Sequence, residues 1–240
     1  MELLVILAIG LVAGIVSGII GTGSSIMLVP VLAYMYGPKA AVPIMGVAAV
    51  IANISRIVIW WREVDWKACA AYAATGAPAA VLGARTMLVL PPRAVDAAMG
   101  IFLLLMIPAR RWLAANLVGL RLPHIAAAGA VIGYLTGIVA ATGPADVPFF
   151  LAYGLTKGAF IGTEAGGSLA VYAAKILTFR GSGALPIDYI LKGSAVGASL
   201  MVGAFVAKPF LLRLAPEAFR NIMDALLLAS GIGLLLGAVR

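Results

Sequence analysis

Charge is scarce in this sequence. Only 11% of its 240 residues are Asp, Glu, Lys or Arg, while 63% are hydrophobic and the mean hydropathy is +1.11. That balance excludes an ordinary soluble domain. Cysteine is nearly missing: a single residue, Cys69, excludes an internal disulfide and a multi-cysteine metal cluster. There is one histidine, His124, and no His-Glu-x-x-His run, serine–histidine motif or aspartate dyad. No phosphate-cradling glycine loop ending in Lys-Ser or Lys-Thr occurs, so the chain is not expected to hydrolyse a nucleotide. The expectation is a protein that is not an enzyme, with no cofactor and no metal. Acidic residues number 9 against 17 Lys and Arg, a net charge of +8. In so apolar a chain this excess sets topology and meets anionic lipid heads; it does not call for a nucleic-acid partner.

What is present is long apolar runs. They predict an all-α polytopic membrane protein with eight long helices, over about 3–20, 40–61, 67–90, 94–113, 124–142, 159–179, 186–212 and 217–238. Two shorter segments, about 24–36 and 145–155, are too short to span comfortably. The first helix lacks the basic start of a signal peptide. Its glycines instead belong to a repeat. Gly10, Gly14 and Gly18 recur as Gly129, Gly133 and Gly137, 119 residues later. Pro30 answers Pro148, Arg56 answers Lys175, Asp65-Trp66 answers Asp188-Tyr189, and Gly83-Ala84 answers Gly203-Ala204. The chain therefore divides into two homologous halves, 1–121 and 122–240, each with four long helices and one short broken or re-entrant segment. If each short segment counts as a crossing, each half crosses an odd number of times. The halves are then inverted repeats about a pseudo-two-fold axis. In that topology Arg62, Lys67, Arg110, Arg111, Arg121, Lys157, Lys208, Arg213 and Arg220 share one face, and the positive-inside rule puts both termini outside.

The four-residue glycine spacing places a small stripe on one helix face, where another backbone can approach closely. Each striped helix runs into a break: Gly21-Thr22-Gly23-Ser24-Ser25 in the first half, Thr142-Gly143-Pro144-Ala145-Asp146 in the second. Irregular backbone at membrane depth survives where it lines a cavity or is buried in protein. Paired breaks in two halves point to a transporter's substrate site. The candidate substrate-binding groups are Gly21, Thr22, Gly23, Ser24, Ser25, Thr142 and Gly143 in the breaks, with Asn53, Arg56, Thr163 and Lys175 beside them. A guanidinium pairs bidentately with an oxyanion, and helix N-termini bind anions without a full charge. The competing expectation for Arg56 is snorkelling beside Trp60 and Trp61; for Lys175 it is a salt bridge to Glu164 or Asp146. Asp146 and Glu164 are proton-coupling candidates, with helix capping and dipole stabilisation as the structural alternatives. Asp224 has no evident role.

These residues resemble the TauE/SafE sulfite-exporter family of membrane permeases over nearly the whole chain. The resemblance rests on the paired Gly-x3-Gly-x3-Gly helices, the Gly/Ser/Thr breaks with their prolines, and Lys157-Gly-Ala-Phe-Ile-Gly162-Thr163-Glu164-Ala165 followed by Lys175. It implies movement of sulfur-containing anions such as sulfite or organosulfonates. The implied protein is a multi-pass, secondary-active exporter in the cell membrane, working by alternating access. Its partners are a small anion, protons or another coupling ion, and lipid, with a homodimer as candidate assembly. An anion channel, or an uptake permease for another small anion, is the alternative. Ser24-Ser25, Pro144 and Asp146 stand where the family commonly has glycine; an acid beside an anion site suits a proton carrier.

Overall fold

A computed structural model describes residues 2–20, 23–207 and 216–239. Among the described residues the regular structure is all helical, without strands. In order they form α1 (Glu2–Ile20), α2 (Ser24–Tyr36), α3 (Pro38–Trp60), α4 (Trp66–Val89), α5 (Pro92–Asn116), α6 (Leu122–Ile138), α7 (Gly143–Ala152), α8 (Lys157–Gly181), α9 (Ile187–Ala207) and α10 (Pro216–Val239). A single 3-10 turn, Trp61–Glu63, follows α3. Eight long and two short helices match the expectation. The sixth ends earlier than expected, at Ile138, so the second break is shifted to residues 139–142. Residues 143–146, expected within it, form the first turn of α7, with Pro144 near its start. Among the described residues, three stretches are both long and apolar enough to cross a bilayer: Pro38–Glu63, Pro92–Asn116 and Ile187–Ala207. The 25-residue α8 has the length, but Glu164 and Lys175 lie within it.

Local signals explain several boundaries. Asp65 caps α4, its carboxylate accepting from the N–H groups of Lys67 and Ala68 at 3.0 and 3.1 Å. Asp188 lies in the first turn of α9 and pairs with Lys192 at 2.6 Å. Gly23 precedes α2 with φ of 110°, a left-handed conformation that a side chain would resist. Pro30 lies inside α2, where it offers no N–H to the carbonyl of Ile26 four residues back. That carbonyl instead accepts from Ser230 Oγ of α10 at 2.8 Å.

The glycine stripes hold the bundle together. A Cβ added at Gly14 would lie 2.6 Å from the Leu200 carbonyl oxygen; one at Gly133 would lie 2.4 Å from that of Gly76. So α1 lies backbone to backbone on α9, and α6 on α4. In a bilayer such close packing, rather than apolar burial, drives helix association. Elsewhere α3 packs on α8, α3 on α9, α4 on α8, and α5 on α10. Exchanging the first five helices in order with the last five leaves this set of pairings unchanged. The short helices α2 and α7 lie inside, with Ile26, Leu28, Val29, Leu32 and Phe150 fully buried.

Candidate functional site

The N-termini of α2 and α7 open on the same narrow cavity, walled by α3 and α8. Gly23, Ser24 and Ser25 come from the start of α2; Gly143 and Asp146 from the first turn of α7. Met45, Ala49, Ala52 and Arg56 face it from α3, and Glu164, Ser168 and Tyr172 from α8. Its volume is about 30 Å³, room for a water or two. The small residues Ala49, Ala52 and Gly143 leave this space; the charged ones define its chemistry.

Arg56 is buried, 8% exposed, and does not snorkel. Its Nη1 donates to Glu164 Oε2 at 2.9 Å, and its Nη2 donates to Asn53 Oδ1. Ser168 Oγ donates to the other oxygen of Glu164 at 2.8 Å. Burying an ion pair is costly unless its remaining lone pairs are met, and Ser168 and Asn53 meet some of them. Asp146 is 2% exposed and accepts from Tyr72 Oη at 2.6 Å. It sits in the field of both Glu164 and Arg56. The cavity thus collects one cation and two carboxyls, and residues from the first turns of two helices line it. First-turn amides and the guanidinium can hold an oxyanion; the carboxyls can hold a proton.

Seven of the residues singled out from the sequence line this cavity: Gly23, Ser24, Ser25, Arg56, Gly143, Asp146 and Glu164. Asn53 stands behind them and orients Arg56. Thr142 Oγ1 hydrogen-bonds Thr136 Oγ1 at 2.5 Å, one layer back. Thr163 Oγ1 accepts from the Asp65 N–H at 2.9 Å and serves the start of α4. Gly21 and Thr22 fall outside the described residues. Lys175 is fully buried, but its ammonium goes to the carbonyls of Thr136 and, at 3.1 Å, Val139. The salt bridge considered for it is not formed: Glu164 pairs with Arg56 and Asp146 with Tyr72. Lys175 therefore closes the carbonyl end of α6, where the second break begins.

Sequence reasoning missed Tyr72, Ser168 and Tyr172. Ser168 carried a signal, four residues after Glu164 on one helix face. Tyr72 carried none, since only the fold brings α4 against α7. Asp224 acquires partners: Arg110 Nε donates to its Oδ1 at 3.1 Å, and Arg111 pairs with its other oxygen, tying α5 to α10. Cys69 is buried, its Sγ 3.2 Å from the Thr163 carbonyl oxygen. His124 is exposed, and its Nδ1 accepts from the Arg121 N–H at 3.1 Å. Trp61, Trp66 and Trp112 are exposed near helix ends, where an aromatic belt belongs.

A family model, "Sulfite exporter TauE/SafE", matches residues 6–234. No curated protein and no solved structure matches the chain.

Proposed function

The chain belongs to the sulfite exporter TauE/SafE family, a family of membrane transporters, and on that premise we propose a secondary-active exporter of small sulfur-containing anions. Sulfite or an organosulfonate binds in the cavity between α2, α3, α7 and α8. Arg56 pairs with its oxygens, and the first-turn amides at Ser24, Ser25 and Gly143 complete the cradle. The single observation that carries this reading is the meeting of both helix N-termini on one buried guanidinium.

The unchanged set of pairings when the two groups of five helices are exchanged supports two halves related by a pseudo-two-fold axis. Alternating access is then a rocking of one half against the other about the central cavity. A cavity of about 30 Å³ is too narrow for a sulfonate, so the walls part before an anion enters. That narrowness favours a carrier over a channel. The protein acts within the cell membrane, as a multi-pass chain.

Thermal-shift binding to the purified protein tests the reading. Sulfite, sulfoacetate, thiosulfate and taurine are offered to wild type and to Arg56→Ala. At a ligand concentration one-hundredfold above Kd, stabilisation of about 2.7 kcal/mol is expected for wild type. Arg56→Ala should lose it. A shift that survives in Arg56→Ala moves the site to the helix N-termini alone; no shift with any sulfur anion removes the substrate class.

A further inference from the structure

We infer that the anion travels together with a proton, taken up by the Asp146–Glu164 carboxyl pair as Arg56 transfers from Glu164 to the anion. This rests on the anion site proposed above and adds the sign of its coupling. The basis is a count of charges around one cavity. Arg56 supplies one positive charge, and Glu164 already neutralises it at 2.9 Å. Asp146 adds a second carboxyl with no cation of its own, only the hydroxyl of Tyr72 at 2.6 Å. Bringing in an anion without a proton would leave one guanidinium facing two carboxylates and the substrate. A further buried negative charge beside them is disfavoured.

The surrounding groups do not relieve this imbalance. From α4 the pair meets Tyr72 and Cys69, neither cationic. From α8 it meets Tyr172. Lys175, on the same helix, spends its ammonium on the Thr136 and Val139 carbonyls. From α2 the cavity receives only Gly23, Ser24 and Ser25. Arg56 is the one cation lining the cavity among the described residues, and a proton on a carboxyl can balance the incoming anion.

The exchange is balanced. A proton from water on the open side forms an O–H bond on one carboxyl of the pair. The Arg56–Glu164 ion pair opens, and the guanidinium closes on the anion's oxygens. On the far side the anion leaves, the carboxyl releases its proton and the ion pair reforms. Counted with Arg56, the ionised pair without anion carries a net charge of −1 and the once-protonated pair with a monoanion carries the same −1, so the proton keeps the buried charge constant across the cycle. A dianion moving with one proton still carries net negative charge, so an inside-negative potential drives it outward. Proton coupling of this sign is therefore compatible with export.

The test uses the full-length protein in proteoliposomes, with potassium and valinomycin holding the voltage. Radiolabelled methanesulfonate or thiosulfate is the probe, because neither carries a proton near neutral pH. Anion uptake and lumenal pH are read together down an inward anion gradient. The expected result is lumenal acidification at about one proton per anion. Anion entry without a pH change, or with alkalinisation, overturns symport and leaves the transport reading standing. No entry of either anion removes the transport reading and this inference with it. Glu164→Gln should lower the proton-to-anion ratio by about twofold or more, since it removes one of the two carboxyls that can hold the proton. If that variant does not assemble, Asp146→Asn is read in the same way. A ratio unchanged in the variant that assembles overturns the assignment to this pair.

Discussion

Lys175 shows how one residue type can suit two roles that only its partners separate. A lysine deep in a membrane helix is expensive and is expected to have a function. Here its ammonium is met by two carbonyls at the end of α6 and lies 5.8 Å from the Phe179 ring and 6.0 Å from that of Tyr172. A cation at a helix C-terminus is favoured by the dipole as well as by the carbonyls. Lys175→Met keeps the stem and removes the donors. Leaving buried acceptors unmet costs about 1–3 kcal/mol each, so a lower Tm is expected. The thermal shift produced by a sulfur anion should be retained, because the ammonium does not face the cavity. Loss of that shift in a folded Lys175→Met protein would return the residue to the binding site.

At the scale of elements, the glycine stripes set which helices meet. Gly133 faces backbone atoms of α4 and Gly14 faces backbone atoms of α9, neither of which can rotate away. Overpacking a tight interface costs about 1–3 kcal/mol or more. Gly133→Leu should therefore lower Tm sharply and reduce the yield of folded protein in detergent. Gly233→Ala is the control: a Cβ there meets nothing within 4 Å, and helix propensity favours alanine by about 1 kcal/mol. Equal Tm losses in the two variants would show that the stripe is not what joins α4 to α6. The ion pairs of Asp224 with Arg110 and Arg111 join α5 to α10 by a different means, charge instead of close backbone approach.

For the whole molecule, topology turns on whether α2 and α7 complete a crossing. If α2 and α7 complete a crossing, the loop between α5 and α6 lies on the face opposite the termini; if they re-enter, it lies on the same face. Val118 in that loop is 83% exposed. Val118→Cys in a Cys69→Ala background is expected to resist a membrane-impermeant maleimide in intact cells and to react after permeabilisation. Epitope tags at both termini should be reached from outside. Labelling of Val118→Cys in intact cells alongside the tags would make the halves parallel and the short helices re-entrant.

The sequence by itself determined the helical membrane class, the number of helices and nearly all of their limits. Apolar runs, prolines and glycines act locally, and a bilayer leaves the backbone few alternatives. The duplicated glycine stripes and breaks also marked where the cavity would form, because each motif lies within one short stretch of chain. Choice of partner was not local. Arg56 and Lys175 occupy matching places in the repeat, yet one meets a carboxylate from α8 and the other meets the end of α6. Tyr72 reaches Asp146 across 74 residues of sequence, and Arg110 and Arg111 find Asp224 more than 110 residues away. Only the tertiary packing of the helices brings these groups within hydrogen-bond reach. Charge pairing in a low-dielectric interior depends on separations of a few ångströms, which no residue spacing along the chain encodes.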